Sequence, residues 1–287
     1  MKVLVTGANG QVGQALKSCV PGDVHVVAAS RTECDLGNPG SIRRVLAEHL
    51  PDVVINTAAY TAVDRAESEE SQAMSINAVG VGVLAEELQK QGGRLIHIST
   101  DFVFDGNISR AYRPNDLPHP LSSYGRSKAA GEVAAGTDAL IVRTSWVYAA
   151  AGTNFVRTML RLMRERDEIS VVADQIGCPT WAENLAKVLW KLAALNKKGI
   201  LHHRDAGVAS WYDFAGAIQE EALSIGLLNK QIRIIPIRTD QYPTPAIRPA
   251  FCLLDDSTTR NLLGDINPHW RESLRKMLNQ EMKNSQK

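Results

Sequence analysis

The sequence predicts an α/β fold in which a doubly wound, mostly parallel sheet is followed by a smaller C-terminal α/β unit. Apolar strand-like runs alternate with helical stretches to about residue 144, as parallel strands joined by crossover helices require. The chain opens on MKVLVTGANGQVG: a strand, a glycine-rich turn and a helix start in immediate succession. Past residue 145 the alternation loosens. Residues 1–150 are therefore expected to form the first domain, with 181–200 packing back onto it. Residues 151–180 and 201–287 should make up most of the second.

Val3, Leu4 and Val5 read as a buried strand. In the turn that follows, Gly7 permits the tight reversal and Gly10 lets the backbone approach a pyrophosphate. Gly13 lets the helix over 11–19 lie close to the sheet. Gln11 and Val12 stand at that helix start, where exposed N–H groups favour an anion. The context is that of a dinucleotide fingerprint. Residues 24–29 form the second strand, which ends at Ser30 and Arg31. In dinucleotide folds this end meets the adenosine ribose, where an acid binds a free 2′-hydroxyl and an arginine accommodates a 2′-phosphate. Arg31 lies 18 residues beyond Gly13 and ahead of Glu33. The pattern favours NADPH over NADH, although an exposed surface arginine has the same local sequence. Asp35 and Leu36 could reach the adenine edge from the next loop.

Residues 39–49 read as a helix and 52–57 as the third strand. Its end, Ala58-Ala59-Tyr60-Thr61, is small and polar, suited to facing a cofactor. A helical region over 64–89 leads to strands at 94–99 and 139–143. Helices are expected at 154–166 and 181–196, with a short strand at 169–173 and a polar turn at 174–180 between them. The second unit continues with a strand at 199–202, a helix at 211–225 and a strand at 232–235. The proline-rich 242–249 should be an ordered extended loop. A helix at 270–282 closes the fold, and 283–287 are expected to fray. There are no internal repeats.

With 287 residues, 44% hydrophobic and 22% charged, the composition is that of an ordinary globular protein. A formal charge of +1 gives no electrostatic case for a nucleic acid polymer or an anionic membrane as partner. Cys19, Cys34, Cys178 and Cys252 are widely spaced, as reduced thiols in a cytoplasmic protein would be. No targeting or transmembrane segment is apparent, so a cytoplasmic location is expected.

Ser99, Thr100 and Asp101 end the fourth strand, on the edge where such sheets bind ligands. Tyr124 and Lys128 stand four apart, on one face of any helix that begins near Leu121. That spacing alone is common on surface helices. Beside a dinucleotide site it fits carbonyl reduction, in which negative charge develops on an oxygen and needs a positioned donor. Tyr124 can deliver the proton, Lys128 can stabilise the phenolate and hold the nicotinamide ribose, and Thr100 can hydrogen-bond the same oxygen. No metal is required. His97 reads as a sheet residue rather than a base, and His119, His202 and His203 show no ligand spacing.

The glycine motif, the hydroxyl residue after strand four and the YxxxK pattern resemble the extended short-chain dehydrogenase/reductase family, with its NAD(P)-binding Rossmann fold. The segments TGANGQVG, NTAAYTAVDRAE, STDFVFDG, YGRSK, RTSWVYA, DQIGCPT and YPTPAIRP carry the likeness across most of the chain. The resemblance implies NADPH, or NADH, reducing the C4 keto group of a dTDP-linked 4-keto-6-deoxy sugar. It implies Thr100, Tyr124 and Lys128 as catalytic residues. It places Gly10, Gln11, Val12, Arg31, Asp35, Ala58, Ala59, Tyr60 and Asn77 around the cofactor, with Tyr124 and Lys128 also touching it. Thr61, Val63, Thr100, Asp101, Phe102 and Trp146 should face the sugar nucleotide, with Asn154 or Arg248 addressing its polar groups. Trp146 could instead be an interdomain core residue, and the Phe102 ring structural. Some members form magnesium-bridged dimers through a carboxylate on the first helix. Here Gln14-Ala15-Leu16 carries none, so a monomer or a metal-free homodimer is expected. Competing readings are a related sugar-nucleotide epimerase and a noncatalytic regulatory subunit like that of methionine adenosyltransferase.

Overall fold

The computed structural model describes residues 1–264 and 267–285. The first part of the chain runs β1 (Lys2–Thr6), α1 (Gln11–Ser18), β2 (His25–Ala29), α2 (Pro39–His49), β3 (Val53–Asn56), α3 (Glu70–Met74), α4 (Gly80–Gln91), β4 (Arg94–Thr100), α5 (Ser123–Ala135) and β5 (Leu140–Thr144). It continues through β6 (Val147–Tyr148), α6 (Phe155–Glu165), β7 (Glu168–Val172), β8 (Ile176–Gly177), β9 (Thr180–Trp181), α7 (Ala182–Ala193) and β10 (Gly199–His202). Then come β11 (Ala209–Ser210), α8 (Trp211–Ser224), β12 (Arg233–Ile237), α9 (Ser257–Leu263) and α10 (Trp270–Ser285).

Six parallel strands form the main sheet in the order β2-β1-β3-β4-β5-β10. The winding reverses between β1 and β3, and ligands of such sheets bind at the carboxyl ends beside that reversal. Period-two alternation sends neighbouring side chains of β1 to opposite layers. Val3 and Val5 pack with α1 and α7, while Leu4 packs with α2 and α4. Layers on both faces explain why the strands read as unbroken apolar runs.

Asn38 caps α2 by accepting hydrogen bonds from the Gly40 and Ser41 amides, with Pro39 at the first position. The expected helical region over 64–89 is a short 3-10 turn (Arg65–Glu67) and then one continuous rod. Within that rod a π turn (Ser75–Val79) joins α3 to α4. Gly92, at φ 71, ends it in the left-handed conformation.

The strand at 199–202 differs from expectation in its place. It is the sixth strand of the main sheet, paired with β5 from Gly199↔Leu140 to His202↔Arg143, and not part of the second unit. The cause is α7, whose apolar face packs beside α1 and returns the chain to the open edge of the sheet. The C-terminal unit has its own core, including Tyr148, Leu160, Phe214, Ile218, Leu274 and Leu278. Its β7 and β12 pair in parallel. The polar turn at 174–180 contains two short strands, β8 against β11 and β9 against β6. The closing helix extends to Ser285, past the expected end at 282. Of the residues expected to fray, 286 and 287 lie outside the described residues. Among the described residues no helix is long and apolar enough to cross a membrane.

Candidate active site

The glycine turn forms a cradle at the end of β1. Gly7 has φ +66, and a Cβ there would lie 2.7 Å from the Ala58 backbone nitrogen. Gly10 caps α1 with extended backbone and donates its N–H to the Gly7 carbonyl at 2.8 Å. No side chain caps α1 and no acid stands in its first turn, so its N-terminal donors suit an anion. Gly13 allows a close approach of α1 to the end of β1. A Cβ there would strike the Gly7 carbonyl oxygen and the Ala8 Cα, both in the turn that follows the strand. Val12 packs on the core beneath, and the Gln11 amide oxygen accepts from Asn154 at 3.0 Å. A turn packed too tightly for side chains at Gly7 and Gly13, leading into an uncapped helix start, fits a dinucleotide pyrophosphate.

Beyond β2, Arg31 is 74% exposed, with its Nε 3.8 Å from Asp35. With Thr32, Asp35, Asn38, Ser41 and Arg44 it lines an open cavity of about 620 Å³. The Ser30 amide donates to Glu33 at 2.6 Å, and the Ser30 and Thr32 hydroxyls are 2.8 Å apart. That bond to the Ser30 amide holds the Glu33 carboxyl below its usual range. Leu36 was expected at the adenine edge. Its side chain is instead buried in the core beside α4, with its carbonyl against Gly80, where any Cβ would collide.

Half-buried Ala58 and Ala59 follow β3, Ala58 against the glycine turn. Tyr60 donates its hydroxyl to Glu69 at 2.6 Å and its amide to Asn77 at 2.8 Å. Asn77 in turn donates to the Tyr60 carbonyl at 3.0 Å and the Ser127 hydroxyl at 2.9 Å. Its side chain thus braces the loop after β3 against α5.

Ser122 caps α5 by accepting from the Gly125 amide at 3.1 Å, and this sets Tyr124 and Lys128 one turn apart, both buried. Two glycines allow the helix this close. A Cβ at Gly125 would strike the Phe102 carbonyl, and one at Gly131 the Asn77 carbonyl. Thr100 ends β4, donates to Asp101 at 3.0 Å and stands beside the Tyr124 phenol. Phe102 meets the Tyr124 ring edge to face at 5.6 Å, and Val63 packs in the same cluster. Burial pushes Tyr124 up to about 12, against the influence of nearby Thr100. It pushes Asp101 up to about 6, against the opposing influence of nearby Cys252 and of the Thr100 hydrogen bond. Burial draws Lys128 down to about 8, against the pull of Glu132. Lys128 Nζ donates to the Ile98 carbonyl at 2.7 Å and lies 3.3 Å from His97 Nε2. Behind it, buried Glu132 accepts from Arg143 at 2.6 and 2.8 Å and from Ser99 at 2.5 Å.

Thr100, Asp101, Phe102, Tyr124, Lys128 and Val63 therefore converge, and Thr61 is exposed on the loop after β3. Trp146 has φ +47, stacks on Trp211 at 3.5 Å and packs against Gly177. Two expected substrate contacts also hold protein partners. Asn154 caps α6, accepting from the Arg157 amide at 3.1 Å and donating to Ala149 and Gln11. Arg248 is paired with Asp64 and with Thr244. Sequence reasoning missed Asn56, Glu132, Arg143 and the contact made by His97. For Asn56, His97 and Arg143 the available signal was a polar side chain inside an otherwise apolar central strand; Glu132, on α5, carried no such signal. Ala15 is buried where α1 packs beside α7. Among the described residues no group of His, Cys, Asp or Glu gathers in a metal-holding cluster.

A family model described as "RmlD substrate binding domain" matches residues 1–283. A dTDP-4-dehydrorhamnose reductase of Burkholderia thailandensis is 44% identical, covering 94% of this chain and 96% of the relative. Another, from Aggregatibacter actinomycetemcomitans, is 40% identical over 96% of this chain and 97% of its own. Among solved structures, the dTDP-4-dehydrorhamnose reductase of Bacillus anthracis in complex with NADP aligns with a TM-score of 0.92. It is 36% identical, covering 97% of this chain and 99% of that one.

Proposed function

The chain belongs to the RmlD substrate binding domain family, and from that premise we propose that it reduces dTDP-4-dehydrorhamnose to dTDP-L-rhamnose with NADPH. It is an NAD(P)H-dependent oxidoreductase. One observation carries the residue-level reading. Thr100 ends β4 beside Tyr124, and Lys128, one turn further along α5, reaches Ile98 of the same strand, at the end of the sheet that also bears the glycine turn.

The Gly7 to Gly13 turn holds the pyrophosphate, and Arg31 with Ser30 and Asp35 faces the adenosine end. When bound, the dihydronicotinamide supplies a hydride to C4. Thr100 and Tyr124 hydrogen-bond the keto oxygen, and Tyr124 gives it the phenolic proton as charge develops there. A charged Lys128 stabilises the phenolate that remains and holds the ribose. Asp101, Phe102, Val63, Thr61 and Trp146 border the sugar nucleotide. Residues 1–150 with 181–200 hold the cofactor, and 151–180 with 201–287 hold most of the substrate. The protein works in the cytoplasm as a monomer or a homodimer without a bridging metal. NADPH oxidation in the presence of dTDP-4-dehydro-6-deoxy-L-mannose, with identification of dTDP-L-rhamnose, tests the reading. No oxidation by the folded protein overturns it.

A further inference from the structure

Both ring nitrogens of His97 face nitrogen atoms. Nδ1 lies 3.0 Å from Asn56 Nδ2, and Nε2 lies 3.3 Å from Lys128 Nζ. The orientation of Asn56 is set elsewhere: its Oδ1 accepts from the Ala58 backbone N–H at 3.1 Å and from the Thr6 hydroxyl at 2.6 Å. A backbone N–H can only donate, so the amide oxygen must face it and the amide nitrogen must face His97. Nδ2 also only donates, which leaves His97 Nδ1 as a bare acceptor. His97 is fully buried, and burial holds it well below its usual range, hence neutral. A neutral imidazole carries one proton, here on Nε2, pointing at Lys128. An ammonium has no lone pair to receive it. An uncharged amine has one.

We propose that His97 is a positioning residue for Lys128, donating Nε2–H to the uncharged lysine amine, so that protonating the lysine breaks this bond and releases the side chain from the imidazole. The proposal rests on Lys128 serving the reductase site. Charge and place then change together. The amine sits against β4, and the ammonium, keeping one hydrogen for the Ile98 carbonyl, turns toward Tyr124 and the ribose. The proton comes from solvent, and no other bond is made or broken. Three titratable groups bear on the lysine. His97 on β4 favours the amine, Glu132 one turn along α5 favours the ammonium, and the Tyr124 phenol lies one turn before. Arg143 of β5 is already paired with Glu132 and tempers its pull. Burial acts in the same direction as His97, drawing Lys128 down to about 8. Cofactor binding that recruits the ammonium should therefore take up a proton.

The first test is a ring nitrogen–proton correlation spectrum of the histidine-labelled apoprotein. The expected result for His97 is a protonated Nε2 and a bare Nδ1. The reverse tautomer, or a doubly protonated ring, overturns the proposal. The second is calorimetric titration of the wild-type protein with NADPH in buffers of different ionisation heat. Proton uptake should grow as pH rises through about 8, and binding without uptake overturns the proposal. His97→Gln, which restores a side-chain N–H donor, should keep the uptake, and His97→Leu should move it to higher pH. An identical profile in wild type and His97→Leu also overturns it. None of these readouts needs turnover. A protein that binds NADPH with this linkage yet reduces no sugar nucleotide would sink the reductase reading alone.

Discussion

Arg248 clasps Asp64 through two guanidinium–carboxylate hydrogen bonds of 2.8 and 3.1 Å, although 184 residues separate them. Asp64 also accepts from the Ala246 amide at 3.2 Å. The Arg248 hydrogen bond holds the Asp64 carboxyl below its usual range. The clasp ties the proline-rich loop of the C-terminal unit to the loop after β3, so it fixes these two loops against each other. Arg248→Ala and Asp64→Ala should each raise the KM for the sugar nucleotide about tenfold, with NADPH affinity unchanged. Because the two residues act as one contact, the double variant should be no worse than either single one. Fully additive losses in steady-state kinetics would mean that each residue acts separately.

Tyr124→Phe removes the phenolic hydroxyl and little else. It should cut kcat by about 10²–10⁴-fold, the usual worth of a positioned proton donor. NADPH affinity, followed by fluorescence titration, should stay within a factor of about two. Retained turnover would assign the proton to another group.

Arg31 reaches over an open cavity and, among the described residues, has no anionic partner closer than Asp35 at 3.8 Å. Arg31→Ala should weaken NADPH about tenfold, as loss of one charge-assisted contact does, and leave NADH nearly unaffected. Equal losses for the two nucleotides would remove the 2′-phosphate role.

Asp101 is buried, and its carboxyl is pushed up to about 6. The folded state therefore binds a proton more tightly there than the unfolded chain, whose aspartate ionises near 4. The stability it contributes is complete below about pH 4 and is lost as pH rises through about 6. Asp101→Asn should abolish that dependence. Above about pH 7 the variant should be more stable than wild type by up to about 3 kcal/mol, measured by urea unfolding across the pH range. A variant less stable than wild type at pH 8 would show that the ionised carboxylate is stabilised by its neighbours.

Glu132 and Arg143 form a buried pair, 6% and 1% exposed, behind the site. Glu132→Ala leaves the guanidinium uncompensated and should cost about 3–5 kcal/mol. Replacing both residues by apolar ones of similar volume should recover most of that loss in the same unfolding assay.

Much of the fold follows from rules that act over a few residues. The opening glycines, the Asn38 cap and the Tyr124 to Lys128 interval are all legible, because turn sterics, capping and helix pitch need no distant partner. What escaped the sequence was set by which strands become neighbours. Asn56 meets His97 only because β3 lies beside β4. Gln11 meets Asn154 across 143 residues. The strand at 199–202 joins the main sheet because α7 packs against α1, a tertiary choice its own composition does not reveal. Asn154 and Arg248 are named as polar groups for a ligand, and their sequence gives no sign of the long-range partners they also hold.

The π turn at Ser75–Val79 takes up one residue more than a regular helix would hold, and such inserts recur at functional sites. Because the extra residue is absorbed in that wide turn, α3 and α4 keep their faces on either side of it. Deleting one of these five residues would let α3 and α4 fuse into an ordinary rod with those outer faces kept. The loss would be local: Asn77 would leave the place from which it bonds Tyr60 and Ser127, and its carbonyl the hollow at Gly131. The additional letter serves the site, and the rod could do without it.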